Sequence, residues 1–338
     1  MTIQNKKNPS LTPLNLCAYV TTHLSGKGIA LEAMLSGSGL KPQDFDTTAR
    51  LLNLSQEQQV LLNALSLSSN TSLGLEIGLA ARISAYGLLG YAMMTAPTLR
   101  VGLGVSLRLP ALLGTYFQLK LTEEEHITQL SLEGCRAPLL LEPALTELCL
   151  GSFKTLISDM LGSAFIPRSA QFRYQADDGM ADAYTEGFEC PISFSHPKSM
   201  IVFDSALLDQ KLPLADRLCH QKVLELCLAQ NRELVANREW LEKLRCVLSE
   251  NLLTPPTLET LGGLMHCSPR TLRRQLQMQN SSYRQLLDEL RFEKAKALLI
   301  AGAGTSDQIA EQLGFSDGAS FRRAFRRWCG MSPNSFRP

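Results

Sequence analysis

The 338-residue sequence has no cysteine pair in C-x-x-C spacing, no phosphate-binding G-x-x-x-x-G-K loop and no G-x-S-x-G. It also lacks any run approaching the roughly 18 apolar residues that a membrane span needs. The nine cysteines are scattered and mostly sit among apolar neighbours, as in "TELCLGSF" and "LELCLAQN", where the thiol behaves as a small hydrophobe. That usage fits a reducing compartment and not a disulfide framework. The opening "MTIQNKKNPSLTPLN" has lysines but no apolar stretch behind them, so the expectation is a cytoplasmic protein with no membrane association. His23, His126, His196, His220 and His266 share no metal-ligand spacing with one another or with the cysteines, so no metal or other cofactor is expected. "VGLGVSL" contains G-x-G without the third glycine or a preceding strand, and Glu123–Glu125 reads as a hairpin tip, not a catalytic carboxylate pair. No enzyme active site is expected.

What is present is a near-neutral chain with an uneven charge distribution. Net charge is +1, yet residues 240–338 hold 14 Lys and Arg against 9 Asp and Glu, while residues 1–239 hold 19 against 23. A basic final hundred residues on an otherwise acidic chain suggests a polyanion-binding module joined to something else. With 45% hydrophobic residues and this length, two domains are expected. Residues 15–215 read as one α+β domain, with helices suggested by "LNLCAYVTTHL", "IALEAMLSGSGL", "TSLGLEIGLAARI" and "TLRVGLGVSLRLPALL". "LSQEQQVLLNAL" adds another, which Ser55 would cap. "TYFQLKLTE" alternates and pairs with "HITQLSLEG" as a hairpin, a helix covers 141–162, and a helical piece lies near 178–187. "AQFRYQ" and "SMIVFD" are short strands. Residues 216–239 form a helical linker within a proline-free stretch from 214 to 249, and "LTPPT" punctuates before the basic module.

The module at 240–338 reads as all-α, with two helix-turn-helix units at about 257–279 and 306–329. In "TLETLGGLMHCSPRTLRRQLQMQN", Thr257 caps a first helix, "HCS" turns, Ser268 caps a second helix and Pro269 takes its first position. At about 100° per residue, Arg270, Arg273, Arg274 and Gln277 share one arc, with Leu272 and Leu276 opposite. Guanidinium forks suit guanine edges and phosphates. Gly262 and Gly263, both costly inside a helix, suggest close helix packing. The layout recurs in "TSDQIAEQLGFSDGASFRRAFRRWCG": a cap at Ser306–Asp307, a turn at Gly314, and Asp317 opening a helix with Phe321, Phe325 and Trp328 on one stripe. Between the copies, "SSYRQLLDELRFEKAKALLIAG" is an amphipathic rod with Tyr283, Leu286, Leu287 and Leu290 in register, ending at Gly302.

"SPRTLRRQL", "SYRQLLDELRFEKA" and "IAEQLGFSDGASFRRAFRRWCGMSPNSFR" resemble the DNA-binding domain of the AraC/XylS family of bacterial transcription regulators. The resemblance implies that both second helices enter successive major-groove segments of double-stranded DNA. Carried over by position, it makes Arg270, Arg273, Arg274, Ser320 and Arg323 the base readers. Thr271, Gln277, Arg322, Arg326 and Arg327 become phosphate or secondary contacts. Gly318 and Ala319 supply no hydrogen-bonding side chain, which weakens base reading by the second unit.

"YGLLGYAMMTAPTLRVGL", "LGSAFIPRSAQFRY" and "FECPISFSHPKSMIVFDSALLDQKLP" resemble the effector domain of the ornithine-utilisation-regulator branch of that family, described loosely as arabinose-binding-like. The resemblance implies a small-molecule effector, a homodimer, RNA polymerase as a partner and a role as activator. Arg82, Arg108, Arg136 and Arg173 could each meet a ligand carboxylate, and nothing in the sequence selects among them. Two alternatives stand beside this reading. One is a regulator controlled by a protein partner. The other is a DNA-modifying enzyme using the same module, which would need a P-C-H-R motif where this chain has Cys190 before Pro191 and no adjacent histidine.

Overall fold

A computed structural model describes residues 11–13, 15–46, 51–175, 181–279 and 281–337. The first elements are β1 (Leu11–Pro13), α1 (Asn15–Ser25), α2 (Leu31–Leu35), β2 (Leu51–Asn53) and α3 (Leu54–Leu67). Then come α4 (Leu73–Ala80), α5 (Gly87–Met94), α6 (Leu99–Arg108), α7 (Pro110–Leu113), β3 (Gln118–Glu124), β4 (Ile127–Glu133) and α8 (Glu142–Leu161). They are followed by β5 (Ser169–Gln171), α9 (Ala181–Phe188), β6 (Ile192–Ser193), β7 (Ser199–Asp204) and the 34-residue α10 (Arg217–Glu250). The chain closes with α11 (Leu258–Leu264), α12 (Pro269–Met278), α13 (Tyr283–Ile300), α14 (Ser306–Gln312), α15 (Gly318–Cys329) and α16 (Pro333–Phe336).

Contacts divide the chain into two compact units. The first holds residues 22–24 and 65–235, and the second holds 11–13, 15–21, 25–46, 51–64 and 236–337 among those described. This partition does not follow the linear division expected from sequence, because residues 25–64 pack with the carboxyl-terminal helices. The Leu51 amide donates to Gln279 Oε1 at 3.2 Å, and Gly39 lies against the Phe292 ring. Local periodicity carries no information about such a distant partner. Of the stretch expected as a helical linker, 216–239, residues 217–239 are part of the single helix α10.

The first unit is α+β. Its sheet runs β3-β4-β7-β5-β6, antiparallel throughout except for the β5–β6 pair. The expected hairpin is present, with Leu119 opposite Leu132 and Leu121 opposite Leu130, and Glu125 turns the chain at φ 51°. The strand expected over "AQFRYQ" is shorter, because the Arg173 amide leaves the ladder for the Ser199 hydroxyl at 3.0 Å. The helical piece expected near 178–187 is α9 from Ala181, and residues 178–180 lie outside the described residues. Ser55 is not the cap of α3. Asn53 takes that role, its Oδ1 accepting from the Gln56 amide at 2.8 Å.

Glycine decides how α4 meets α8. A Cβ on Gly74 would lie 2.0 Å from the Ala144 carbonyl oxygen, one on Gly78 would lie 2.6 Å from that of Leu148, and Gly151 faces Gly78 in turn. Backbone thus meets backbone, and Glu147 is buried beneath. It accepts from the Leu75 amide in the first turn of α4, and from the Tyr174 and Tyr184 hydroxyls, so the carboxylate is satisfied by three donors. Burial pushes the Tyr174 hydroxyl well above the usual tyrosine range. Phe172, Phe188 and Phe194 complete this aromatic core.

The contact at Gly74 cannot relax by moving a side chain, since backbone is on both sides. Gly74→Ala is therefore expected to lower unfolding free energy by at least about 2 kcal/mol in urea melts. Gly263, on α11, has nothing within 4 Å of an added Cβ, and Gly263→Ala should instead stabilise by about 0.5–1 kcal/mol.

Candidate nucleic-acid interface

Thr257 and Ser268 cap α11 and α12, their hydroxyls accepting from the amides of Thr260 at 3.3 Å and Thr271 at 3.1 Å. Between the helices the Cys267 amide reaches back to the Gly262 carbonyl at 2.9 Å, with His266 in the left-handed region at φ 51°. The same closure recurs after α14, from the Phe315 amide to the Ala310 carbonyl at 2.9 Å, with Gly314 at φ 71°. The two units are thus built alike at backbone level. Of the glycine pair in α11, Gly262 accounts for the expected close packing, because a Cβ there would lie 2.7 Å from the Cys267 carbonyl oxygen. Gly263 faces open space.

On α12, Leu272 and Leu276 are 0% and 1% exposed. Arg270, Arg273, Arg274 and Gln277 are exposed on the other side. Among the described residues the three arginines have no ion-pair or hydrogen-bond partner. Thr271 is half-buried, with its hydroxyl 2.9 Å from that of Ser268. Three guanidiniums are therefore held outward with nothing among the described residues to neutralise them.

The second unit is similar in shape but not in electrostatics. Thr305, one residue before the expected site, caps α14 in a reciprocal box with Gln308, whose side chain returns to the Thr305 amide at 2.8 Å. Asp317 caps α15 as expected, accepting from the Ser320 amide at 2.6 Å. Phe321 and Phe325 are fully buried with ring centroids 5.7 Å apart, and Trp328 is half-buried beside Phe325. The polar side is mostly self-paired. Ser320 donates to Asp317 Oδ2 at 3.0 Å, Arg323 donates to Ser320 Oγ at 3.0 Å and Arg327 pairs with Asp288 at 3.1 Å. Arg322 lies 4.0 Å from Asp307. Arg326 alone of the four α15 arginines has no partner among the described residues. A Cβ on Gly318 would collide with Asp307, whereas Ala319 is exposed. Sequence reasoning missed this self-pairing, because Asp288 and Asp307 lie on other helices.

Helix α13 carries both units. Leu286, Leu287 and Leu290 are buried and Tyr283 donates to the Pro256 carbonyl at 2.7 Å. Arg291 reaches the carbonyls of Leu252 and Gly314, both at 3.4 Å, with its guanidinium 4.9 Å from the Phe315 ring centre. Burial lowers its pKa from the ordinary arginine value. Arg245 on α10 bonds Glu293 at 2.6 Å and Glu289 at 3.5 Å, tying α10 to α13.

The four arginines of the first unit considered for a ligand carboxylate are each engaged internally. Arg82 pairs with Asp159 at 2.7 Å and Arg173 with Glu142 at 3.8 Å. Arg108 bonds the Gly104 carbonyl, and Arg136 the Thr115 carbonyl. Among the described residues no group of three or more His, Cys, Asp or Glu could hold a metal ion, and no single helix is long and apolar enough to cross a membrane.

Residues 28–212 match the family "Arabinose-binding domain of AraC transcription regulator, N-term", and residues 261–338 match a helix-turn-helix domain family. The chain is similar to the ornithine utilization regulator of Pseudomonas aeruginosa, 26% identical over 97% of this chain and 96% of that one. It is 25% identical to an uncharacterized HTH-type transcriptional regulator of Mycobacterium tuberculosis over 92% of this chain and 91% of that one. The HTH-type transcriptional regulator VqsM of Pseudomonas aeruginosa is 44% identical over 82 residues, 24% of this chain and 25% of that one. The crystal structure of the regulator CdpR from Pseudomonas aeruginosa aligns over 98% of this chain and 99% of that one, with TM-score 0.49 and 21% identity.

The Ser320 amide, followed by the Ser316 and Ser320 hydroxyls, holds the Asp317 carboxyl below its ordinary value. Its contribution is complete above the unfolded aspartate value near 3.9 and is lost as pH falls through the lower native value. Asp317→Asn keeps a capping oxygen without the charge. Thermal melts from pH 7 to pH 2.5 should show less acid sensitivity for Asp317→Asn than for wild type, and a lower melting point for Asp317→Ala at pH 7.

Proposed function

The chain belongs to the AraC family of transcription regulators, joining an arabinose-binding-type effector domain to a helix-turn-helix DNA-binding domain, and from that premise we propose that sequence is read mainly by α12. Arg270, Arg273 and Arg274 would contact base edges in the major groove. Gln277 and Thr271 would assist from the same helix. The observation that carries this reading is that the three arginines are exposed, unpartnered among the described residues and backed by two buried leucines. In the second unit Ser320 and Arg323 would read bases only after giving up their bonds to Asp317 and to each other. Arg322, Arg326 and Arg327 would position phosphates, with the Asp288 and Asp307 partners exchanged for DNA.

At 18 residues, α13 is about 27 Å long, a spacer on the scale of one helical turn of DNA. The protein would act in the cytoplasm as a homodimeric activator that contacts RNA polymerase. The name of the Pseudomonas relative, an ornithine utilization regulator, favours a small catabolic metabolite as effector. Effector binding would act by favouring one arrangement of the reading helices, to the extent of its differential affinity. No enzymatic activity is proposed. Cys190, the cysteine weighed against the P-C-H-R motif, is a buried thiol pushed up by desolvation, the opposite of an activated nucleophile.

Fluorescence anisotropy with the chain's own upstream DNA tests this reading. Arg273→Ala should cost about 1–3 kcal/mol on that DNA, much less on random DNA, and Arg323→Ala should cost less than Arg273→Ala. Equal losses for Arg273→Ala on both DNAs would reduce that side chain to a phosphate contact.

A further inference from the structure

Aligned on their caps, the two helix-turn-helix units differ at one position that decides where a carboxylate lies. Thr257 and Thr305 cap the first helices, and Ser268 and Asp317 cap the second. Glu259 and Asp307 are then counterparts, each the second residue of its helix. Pro269 and Gly318 correspond at the first position of α12 and α15, and Arg273 and Arg322 at the fifth. In the first unit Pro269 brings its own Cβ, and among the described residues neither Glu259 nor Arg273 has an ion-pair or hydrogen-bond partner. In the second unit Gly318 leaves that place open. Asp307 Oδ1 fills it, 1.8 Å from the point a Cβ would occupy, and Arg322 Nη1 is 3.2 Å from the same point. The carboxylate and the guanidinium are 4.0 Å apart.

The place Asp307 takes is one that suits a phosphate. The first turn of a helix carries the positive end of the backbone dipole, and an arginine beside it is the combination that holds DNA phosphates at helix N-termini. The Asp307 side chain is 78% exposed, whereas Gly318 beneath it is buried, so the carboxylate lies on the surface and not in the core. An exposed pair of this kind contributes little to folding. Any side chain at position 318 would exclude the carboxylate, so the contact depends on glycine where the sister unit uses proline.

We propose that Asp307, seated on Gly318, is an intramolecular stand-in for a DNA phosphate that holds Arg322 back and weakens binding to DNA of any sequence. This brake rests on the DNA-binding reading of the module and adds a regulatory contact to it. The carboxylate acts twice: it occupies the arginine, and it places negative charge beside the surface that phosphates approach. Because it competes with phosphate and not with a base edge, it lowers specific and non-specific affinity alike. Discrimination between sequences is then left to the unpaired arginines of α12.

The test is fluorescence anisotropy of the full-length protein on its own upstream DNA and on random DNA, at about 50 and about 200 mM salt. Asp307→Asn keeps the shape of the side chain and removes its charge. It should tighten binding to both DNAs by about two- to fivefold at the lower salt, with a salt dependence steeper by about one phosphate contact. Gly318→Pro copies α12 and evicts the carboxylate without changing net charge, and Asp317 before it is already extended, as suits a residue preceding proline. It should also tighten binding to both DNAs, and Gly318→Ala does the same job if thermal melts show Gly318→Pro to be unstable. Glu259→Gln removes the counterpart charge, which touches no arginine, and should give a smaller gain than Asp307→Asn. In an Arg322→Ala background the gain from Asp307→Asn should disappear. Wild-type binding with no gain in Asp307→Asn would overturn the brake, as would a gain that persists with Arg322→Ala. An equal gain from Glu259→Gln would reduce the effect to net charge and overturn it too. Failure of both wild type and Asp307→Asn to bind any DNA would instead sink the DNA-binding reading itself.

Discussion

Burial of Leu272 and Leu276 on α12, and of Phe321 and Phe325 on α15, is the constraint on which the arginine-bearing surface depends. Helices of 10 and 12 residues are marginal on their own in water, and an arginine-rich face adds like-charge repulsion. Each buried apolar side chain contributes about 1.5–3 kcal/mol, enough to hold such a helix once it has a scaffold to rest on. The pairs are spaced four residues apart, so burying them fixes rotation about the helix axis. The arginines opposite are then directed outward. The same contacts that stabilise the fold thereby aim the site.

Helices α12 and α15 share this construction and differ in what surrounds their guanidiniums. On α12 the exposed arginines meet no acid among the described residues. On α15 Asp288, Asp307 and the Asp317–Ser320 cap occupy most of the polar face. Such exposed pairs contribute little stability, on the order of 0–1 kcal/mol each, so exchanging them for phosphate costs little. They do give three of the four α15 arginines a competitor, which the α12 arginines lack among the described residues. On the proposed reading, specificity is concentrated in the first unit and the second adjusts to the backbone. Helix α13 makes this division possible by carrying both units on one rod, with Arg291 fastening carbonyls on either side of it.

Much of the second unit was legible in local sequence because its determinants are local. A cap at Thr257, Ser268 or Asp317 acts on an amide three residues ahead, and the 3.6-residue period places leucine or phenylalanine without reference to the rest of the chain. Where a neighbouring residue could serve equally, the sequence was off by one or two positions. Asn53 caps α3 in place of Ser55, and Thr305 with Gln308 forms the box ahead of Ser306. Either candidate carries a suitable oxygen, and only backbone geometry selects between them. "AQFRYQ" shows the same limit for strands, since alternation cannot reveal that the Arg173 amide goes to a serine hydroxyl.

By itself the sequence determined the pair of helix-turn-helix units, the rod between them, the hairpin and the arc of arginines on α12. All of these follow from contacts spanning a few residues along the chain. Tertiary structure alone decided that Gly74 and Gly78 let α4 touch the backbone of α8, and that residues 25–64 pack with the carboxyl-terminal helices. It also decided which arginines of α15 find acids. The physical reason is distance along the chain. A hydrogen bond or an ion pair is satisfied by whatever the fold brings within about 3 Å. For these residues the partner, or the missing partner, is set by segments tens to hundreds of positions away.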